Sequence, residues 1–246
     1  MKLFLDTANL ADIEEAFQSG YIEGVTTNPS LLAKEPKGNY LAHMKKIVAL
    51  CKKYSKTASL SVEVFATDKK EMVKQAVEFS KALKYKHLAI KIPISYKGEN
   101  YLSVIRELSD RGIIVNATAC MTPMQLVSAA ASGAQFVSLF YNRVRDGATE
   151  EKYDAERTKL EMEGVIEQND YDPNSVLVET TDLLIDYPKA RIIAGSIRTP
   201  LDVKYAGLAG ADIVTASPAI FKKMFGHYKT DHAVGQFLAD FSAWMK

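Results

Sequence analysis

Hydrophobic positions along the chain alternate between two rhythms. Short runs rich in β-branched and aromatic residues fall at Leu3–Thr7, Gly24–Asn28, Leu60–Phe65, His87–Ile94, Ile113–Thr118, Phe136–Phe140, Arg191–Ser196 and Ile213–Ala216. Between them lie longer stretches with helical spacing. In Lys69–Leu83, Met72, Val73, Ala76, Val77 and Phe79 mark one face. Pro123–Ala131 opens with Thr122 as N-cap and Pro123 at the first helical position. Strands alternating with helices predict a parallel sheet, and eight is the number that closes a (β/α)8 barrel. A doubly wound open sheet is the alternative. No linker or composition shift divides the chain, so residues 1–246 are expected to form a single domain.

One stretch breaks the rhythm. Gly147 to Ser175 carries Glu150, Glu151, Lys152, Asp154, Glu156 and Arg157, and ends in Asn169-Asp170-Tyr171-Asp172-Pro173-Asn174. It predicts a long exposed helix followed by a turn, inserted between strands six and seven. A solvated surface helix accounts for its charge without any further role.

Composition adds mainly exclusions. The chain is 47% hydrophobic and 25% charged, and 31 Lys and Arg against 30 Asp and Glu leave a net charge of +1. That balance gives no general attraction to nucleic acid or to an anionic membrane surface, so any anion must be captured locally. The start has no targeting character, and no apolar run is long enough to cross a bilayer. Cys51 and Cys120 have neither disulfide nor metal-ligand spacing, and with four scattered His no metal site is expected. The cytoplasm is the expected location.

The polar residues cluster at strand ends. They are Asp6; Thr26, Thr27 and Asn28; Glu63; Lys91; Asn116 and Thr118; Ser138; Asn142 and Arg143; Ser196 and Arg198. In a closed barrel the carboxyl ends of all strands converge on one mouth, where barrel enzymes hold their chemistry. Lys91 is the sharpest case, because it interrupts the apolar run His87-Leu-Ala-Ile-Lys-Ile-Pro-Ile94. Burying an ammonium costs several kcal/mol unless it is paired or neutralised. A desolvated lysine is also the nucleophile that forms an imine with a carbonyl. An edge-strand lysine that deters aggregation is the bland alternative.

Glu63, between Val62 and Val64, and Asp6, at the end of Leu3-Phe-Leu, are acids in apolar strands. Either would serve as a proton donor and acceptor, or as a structural partner of the lysine. Asn116 and Thr118 share a face, as do Ser138 and Phe140. Ser196-Ile-Arg198-Thr199-Pro200 places an arginine beside a helix amino end, which is an anion site, with Arg143 as a second guanidinium. Surface arginines beside an ordinary cap would look the same.

These residues, in this order, resemble the transaldolase family, in its short branch that also holds the fructose-6-phosphate aldolases. The resemblance rests on Leu5-Asp-Thr-Ala-Asn9, Gly24-Val-Thr-Thr-Asn-Pro-Ser30, Val62-Glu-Val64, Ile90-Lys-Ile-Pro93, Asn116-Ala-Thr118, Asn142-Arg143, Ala194-Gly-Ser-Ile-Arg198 and Ala209-Gly-Ala-Asp212. It implies a class I barrel in which Lys91 forms the imine and Asp6 handles the C4 hydroxyl proton. Glu63 and Thr118 would hold a water that shuttles protons. Thr27, Asn28, Asn116, Ser138 and Phe140 would surround the dihydroxyacetone part, and Arg143, Ser196 and Arg198 the phosphate.

No cofactor is implied. Sugar phosphates are the implied partners, and short members assemble as decamers of two pentamers through a carboxyl-terminal helix. In this chain Phe237, Leu238, Phe241 and Trp244 give that helix an apolar face, which could instead pack on its own barrel. The aldolases carry Gln and Tyr where this chain has Glu63 and Phe140, so both positions favour transaldolase over an aldolase releasing dihydroxyacetone. A silent sugar-phosphate binding barrel is the third reading. The chain departs from the family pattern at Leu139, at Ala119-Cys120-Met121, and by an insertion of roughly twenty residues before strand seven, longer than an ordinary connection.

Overall fold

A computed structural model describes residues 1–245. Eight parallel strands close into a barrel: β1 (Lys2–Asp6), β2 (Gly24–Thr26), β3 (Ser59–Glu63), β4 (Leu88–Pro93), β5 (Ile114–Cys120), β6 (Phe136–Phe140), β7 (Arg191–Gly195) and β8 (Ile213–Ala216). Sequential strands are neighbours, and β8 pairs with β1 to complete the ring. The open-sheet alternative is thereby excluded. So is the edge-strand explanation of Lys91, because a closed ring has no edge.

Period-two alternation divides each strand between two environments. Outward residues such as Leu5, Val25, Leu60, Val62, Ile90, Ile92, Val115 and Val137 are buried beneath the surrounding helices. Inward residues form a graded filling. At the amino-terminal end Phe4, Ile193 and Ile213 pack together with Phe136 against them, an apolar plug. Gly24 makes room for it, since a Cβ there would lie 2.7 Å from the Phe4 ring. Above the plug the inward positions turn polar, with Thr26, Ser61, Lys91, Asn116, Ser138 and Thr215 all buried. A barrel that buries polar groups at its centre must either pair them or use them.

The helices follow their sequence signals. Lys69–Leu83 buries Met72, Val73, Ala76, Phe79 and Leu83, and Asp68 caps its start. Pro123–Ala131 is capped by Thr122 as expected. Strand ends shifted where local chemistry intervened. β2 stops at Thr26 because Asn28 turns to cap the short helix Pro29–Leu32. β5 runs on to Cys120 through a register shift, with Ala119 in the left-handed region at φ 60°.

One expectation is corrected and one alternative is excluded. The stretch from Gly147 to Ser175 is not one long helix. A helix covers only Asp154–Met162, after a 3₁₀ turn at Glu151–Tyr153. Gly164 at φ 66° ends it in the left-handed conformation, and the turn Gln168–Tyr171 follows. Asp172 then caps the helix Pro173–Leu183. The carboxyl-terminal helix Tyr228–Trp244 does not pack on its own barrel either. None of its residues is buried, and Trp244 is 78% exposed. No described helix is long and apolar enough to cross a membrane.

Candidate active site

The site is built where the polar layer meets the carboxyl ends of the strands. Glu63 and Lys91 are register partners on β3 and β4, so their side chains leave adjacent strands in the same direction. Glu63 Oε2 lies 2.9 Å from Lys91 Nζ, with side-chain exposures of 18% and 7%. Nζ also donates to the Thr27 carbonyl at 3.1 Å. Thr27 is itself fixed by its hydroxyl, which donates to the Ser61 carbonyl at 2.9 Å. The lysine is thus a buried, ion-paired group. Attraction between the charges offsets the cost of removing both from water.

Asp6 ends β1. Its Oδ1 accepts from the Thr26 hydroxyl at 2.7 Å, and the Thr26 and Thr215 hydroxyls lie 2.6 Å apart. With Asp6 ionised, Thr26 spends its one proton on the carboxylate, so Thr215 donates to Thr26. Burial pushes the Asp6 carboxyl above the ordinary aspartate range, and Glu63 adds to this. Lys91, the Thr26 hydrogen bond and Lys34 oppose the rise without cancelling it. Two acids therefore flank the lysine: Glu63 pairs with it directly, and Asp6 feels its charge from across the mouth.

On the other side of Lys91, Asn116 is its register partner on β5. The Asn116 amide donates to Ser61 Oγ at 3.2 Å and accepts from the Ser138 hydroxyl at 2.6 Å, which links β3, β5 and β6 through the interior. Thr118 lies one pleat higher. Its hydroxyl is the one buried side-chain polar atom among the described residues that meets no protein partner. An unpaired buried hydroxyl costs about 1–3 kcal/mol, which a water or a ligand oxygen would recover. Phe140 is half-buried at the rim, and Asn28 uses its Oδ1 to cap Leu31 N.

The arginines stand at the outer edge of the mouth. Arg143 is exposed in the first turn of the helix Tyr141–Thr149. Arg198 is exposed as well and pairs with Asp146 through two bonds, Nη1–Oδ1 at 2.7 Å and Nη2–Oδ2 at 2.5 Å. That end-on contact leaves the Nε edge of the guanidinium uncommitted. Between them Ser196 takes φ 59°, and its carbonyl accepts from the buried Asn142 amide at 2.9 Å. Among the described residues no group of three or more His, Cys, Asp and Glu side chains is placed to hold a metal ion.

A closed eightfold barrel with a buried lysine, two flanking carboxyls and an arginine rim is compatible with several chemistries. Comparison with known proteins narrows them. Residues 3–245 match the family model described as transaldolase/fructose-6-phosphate aldolase. The chain belongs to this family.

Relatives agree over their full length. A probable transaldolase of Desulfosudis oleivorans is 36% identical over 248 residues, covering 100% of this chain and 99% of the relative. A probable transaldolase of Desulfatibacillum aliphaticivorans is also 36% identical, over 98% of both chains. One from Parvibaculum lavamentivorans is 33% identical, over 100% of this chain and 97% of its own. The chain is therefore an enzyme of the transaldolase and aldolase kind.

Several residues that build this family member's site escaped the sequence reading. Ser61 and Thr215 complete the polar interior; Ser61 keeps the same period-two phase as Glu63, which was the available signal. Asp202 organises the arginine rim. It caps the helix Pro200–Leu208 in a box with Thr199, and accepts from Asn142, Arg145 and the backbone N–H groups of Arg198 and Thr199. Burial pushes the Asp202 carboxyl up, but these hydrogen bonds outweigh burial and hold it below the ordinary range. The spacing Thr199-Pro-Leu-Asp202 is a capping signature that could have revealed it. Nothing in the sequence paired Asp146 with Arg198, which lie 52 positions apart.

Proposed function

We propose that the chain is a transaldolase that carries a dihydroxyacetone unit from sedoheptulose 7-phosphate to glyceraldehyde 3-phosphate, and back, through a Schiff base on Lys91. The observation that carries this reading is the buried Glu63–Lys91 pair at 2.9 Å inside the barrel mouth. Attack on a ketose C2 carbonyl needs the free amine. Glu63 is placed to take the ammonium proton, and a water held between Glu63 and Thr118 would carry protons to and from the carbinolamine.

Once the carbinolamine loses water, the iminium withdraws electrons from the C3–C4 bond. Asp6 as carboxylate accepts the C4 hydroxyl proton, the bond breaks, and the aldose phosphate leaves. The enamine stays on Lys91. It attacks the carbonyl carbon of the incoming aldose phosphate, and Asp6 returns its proton to the new alkoxide. A carboxyl raised above the ordinary aspartate range holds a proton more readily, which suits a group that must both accept one and return it. Asn28, Asn116 and Ser138 hydrogen-bond the dihydroxyacetone hydroxyls. Arg143, Ser196 and Arg198 bind the phosphate.

Fructose-6-phosphate aldolase activity is the second reading, because the matching family contains both activities. Phe140 favours transfer: it offers no hydroxyl to deliver a proton to the enamine, which then waits for an aldehyde. The names of the relatives point the same way. Borohydride reduction with fructose 6-phosphate, followed by peptide mass mapping, tests the imine. A stable adduct on Lys91 is the expected product; no adduct, or one on another lysine, rejects the mechanism. The unpacked face of the helix Tyr228–Trp244 supports assembly with other copies of the chain, as a pentamer or decamer.

A further inference from the structure

The insertion before β7 buries no core of its own, yet it encloses space. A cavity of about 780 Å³ lies between it and the barrel mouth, within the size range of small-molecule sites. Its inner wall comes from residues that follow three strands at their carboxyl ends: Ile94 after β4, Met121 after β5 and Arg143 after β6. The insertion supplies the outer wall, with Leu160 on its helix and Val165 beyond it. Neither Lys91 nor Glu63 lines this space. It stands beside the carbonyl chemistry, on the side of the arginines.

Two features define what would fit. Much of the wall is apolar, with Asp146, Glu150, Glu156, Asp170, Lys152 and Arg157 also lining it, and its apolar side chains are uncovered: Met124 is 61%, Val165 56%, Tyr153 48% and Leu160 37% exposed. Each apolar side chain left uncovered here forgoes burial worth about 1.5–3 kcal/mol. The one end of the cavity that meets the proposed phosphate site is Arg143, and Asp146 beside it holds Arg198. A largely apolar slot that meets a guanidinium at one end suits a ligand with an anionic foot and an apolar body.

We propose that the insertion builds a second subsite for the apolar or aromatic portion of an organic phosphate ester, whose phosphate sits on Arg143. This rests on reading Arg143 as a phosphate ligand. A sugar phosphate fills only the phosphate and carbonyl positions. An ester with an aromatic group beyond its phosphate takes the phosphate position from the other side, and so competes with the sugar phosphate.

Calorimetric titration of the full chain with inorganic phosphate and with 1-naphthyl phosphate tests the idea without depending on turnover. The expected result is that the naphthyl ester binds at least tenfold more tightly than phosphate, about 1.4 kcal/mol. In Leu160→Asp and in Met124→Ser, which alter opposite walls at exposed positions, that advantage should fall to less than threefold while inorganic phosphate binds as before. Arg143→Gln should weaken both ligands. Equal affinity of the two ligands for the unaltered chain overturns the subsite but leaves the phosphate reading standing. So does an advantage that survives in either wall variant. If neither ligand binds, or Arg143→Gln changes nothing, the phosphate reading fails and the subsite falls with it.

Discussion

Glu63 and Lys91 stand directly opposite on adjacent parallel strands, and their side chains meet at 2.9 Å inside the barrel mouth. Register alone fixes this meeting, and a slip of one residue would send one of them into the helix layer. A charge pair in so little water is costly as a structural device, because apolar residues of similar size often do as well or better. Proton transfer between the two groups, as proposed for imine formation, would give it a use that stability does not.

Glu63→Gln keeps the shape and a hydrogen bond but removes the proton acceptor. Turnover should fall by about 10²–10⁴, the usual worth of a general acid–base group. Rapid-quench borohydride trapping should show the same Lys91 adduct forming more slowly. Unchanged trapping kinetics would remove Glu63 from imine formation.

Asp6 should leave a signature in stability against pH. Its native carboxyl is raised, so the folded state holds the proton to higher pH than the unfolded chain does. Stability is therefore lost as pH rises from the ordinary aspartate value of about 3.9 through the raised native value. Asp6→Asn removes that loss. Its melting temperature relative to the parent should increase between pH 4 and pH 7, while turnover disappears. A difference that stays flat with pH would contradict the raised carboxyl.

At position 140 a single oxygen is at stake. Phe140→Tyr should raise the release of free dihydroxyacetone from fructose 6-phosphate without an acceptor, and lower the ratio of transfer to release. Coupled assays with and without erythrose 4-phosphate read both rates. An unaltered ratio would mean that the rim hydroxyl does not govern enamine protonation.

Asp202→Ala leaves a buried amide, an arginine and two backbone N–H groups without their acceptor. Removing one partner of such a network costs about 3–5 kcal/mol. Urea denaturation should show that loss, and KM for sugar phosphates should rise because Arg198 loses its backbone anchor. Asp202→Asn should recover part of both. Losing stability with no change in KM would confine Asp202 to a structural role.

The exposed stripe on the last helix should govern assembly. Phe241→Asp together with Trp244→Asp is expected to reduce the particle to a monomer in sedimentation velocity, with the fold retained by circular dichroism. If the parent is already monomeric, the face has another purpose.

The eight β-rich runs and the period-two placement of Asp6, Glu63, Lys91, Asn116 and Ser138 were legible in the sequence because strand alternation is local. A polar residue in an apolar run keeps its phase wherever the strand ends up. The capped helices Lys69–Leu83 and Pro123–Ala131 were legible for the same reason, since their signals lie within a few residues. The sequence therefore determined the barrel, the inward polar set and, through its motifs, the family.

Tertiary structure decided what lies between distant segments. It set Glu63 rather than Asp6 on the lysine, because strand order brings β3 beside β4. Asp146 was committed to Arg198, and Asp202 to Asn142 and Arg145 after β6, across separations of more than fifty positions. The insertion became a short helix around a cavity instead of one long helix, and the last helix was left without a partner on its own barrel. Each of these depends on which surfaces the closed ring brings together, and no local period of the chain carries that information.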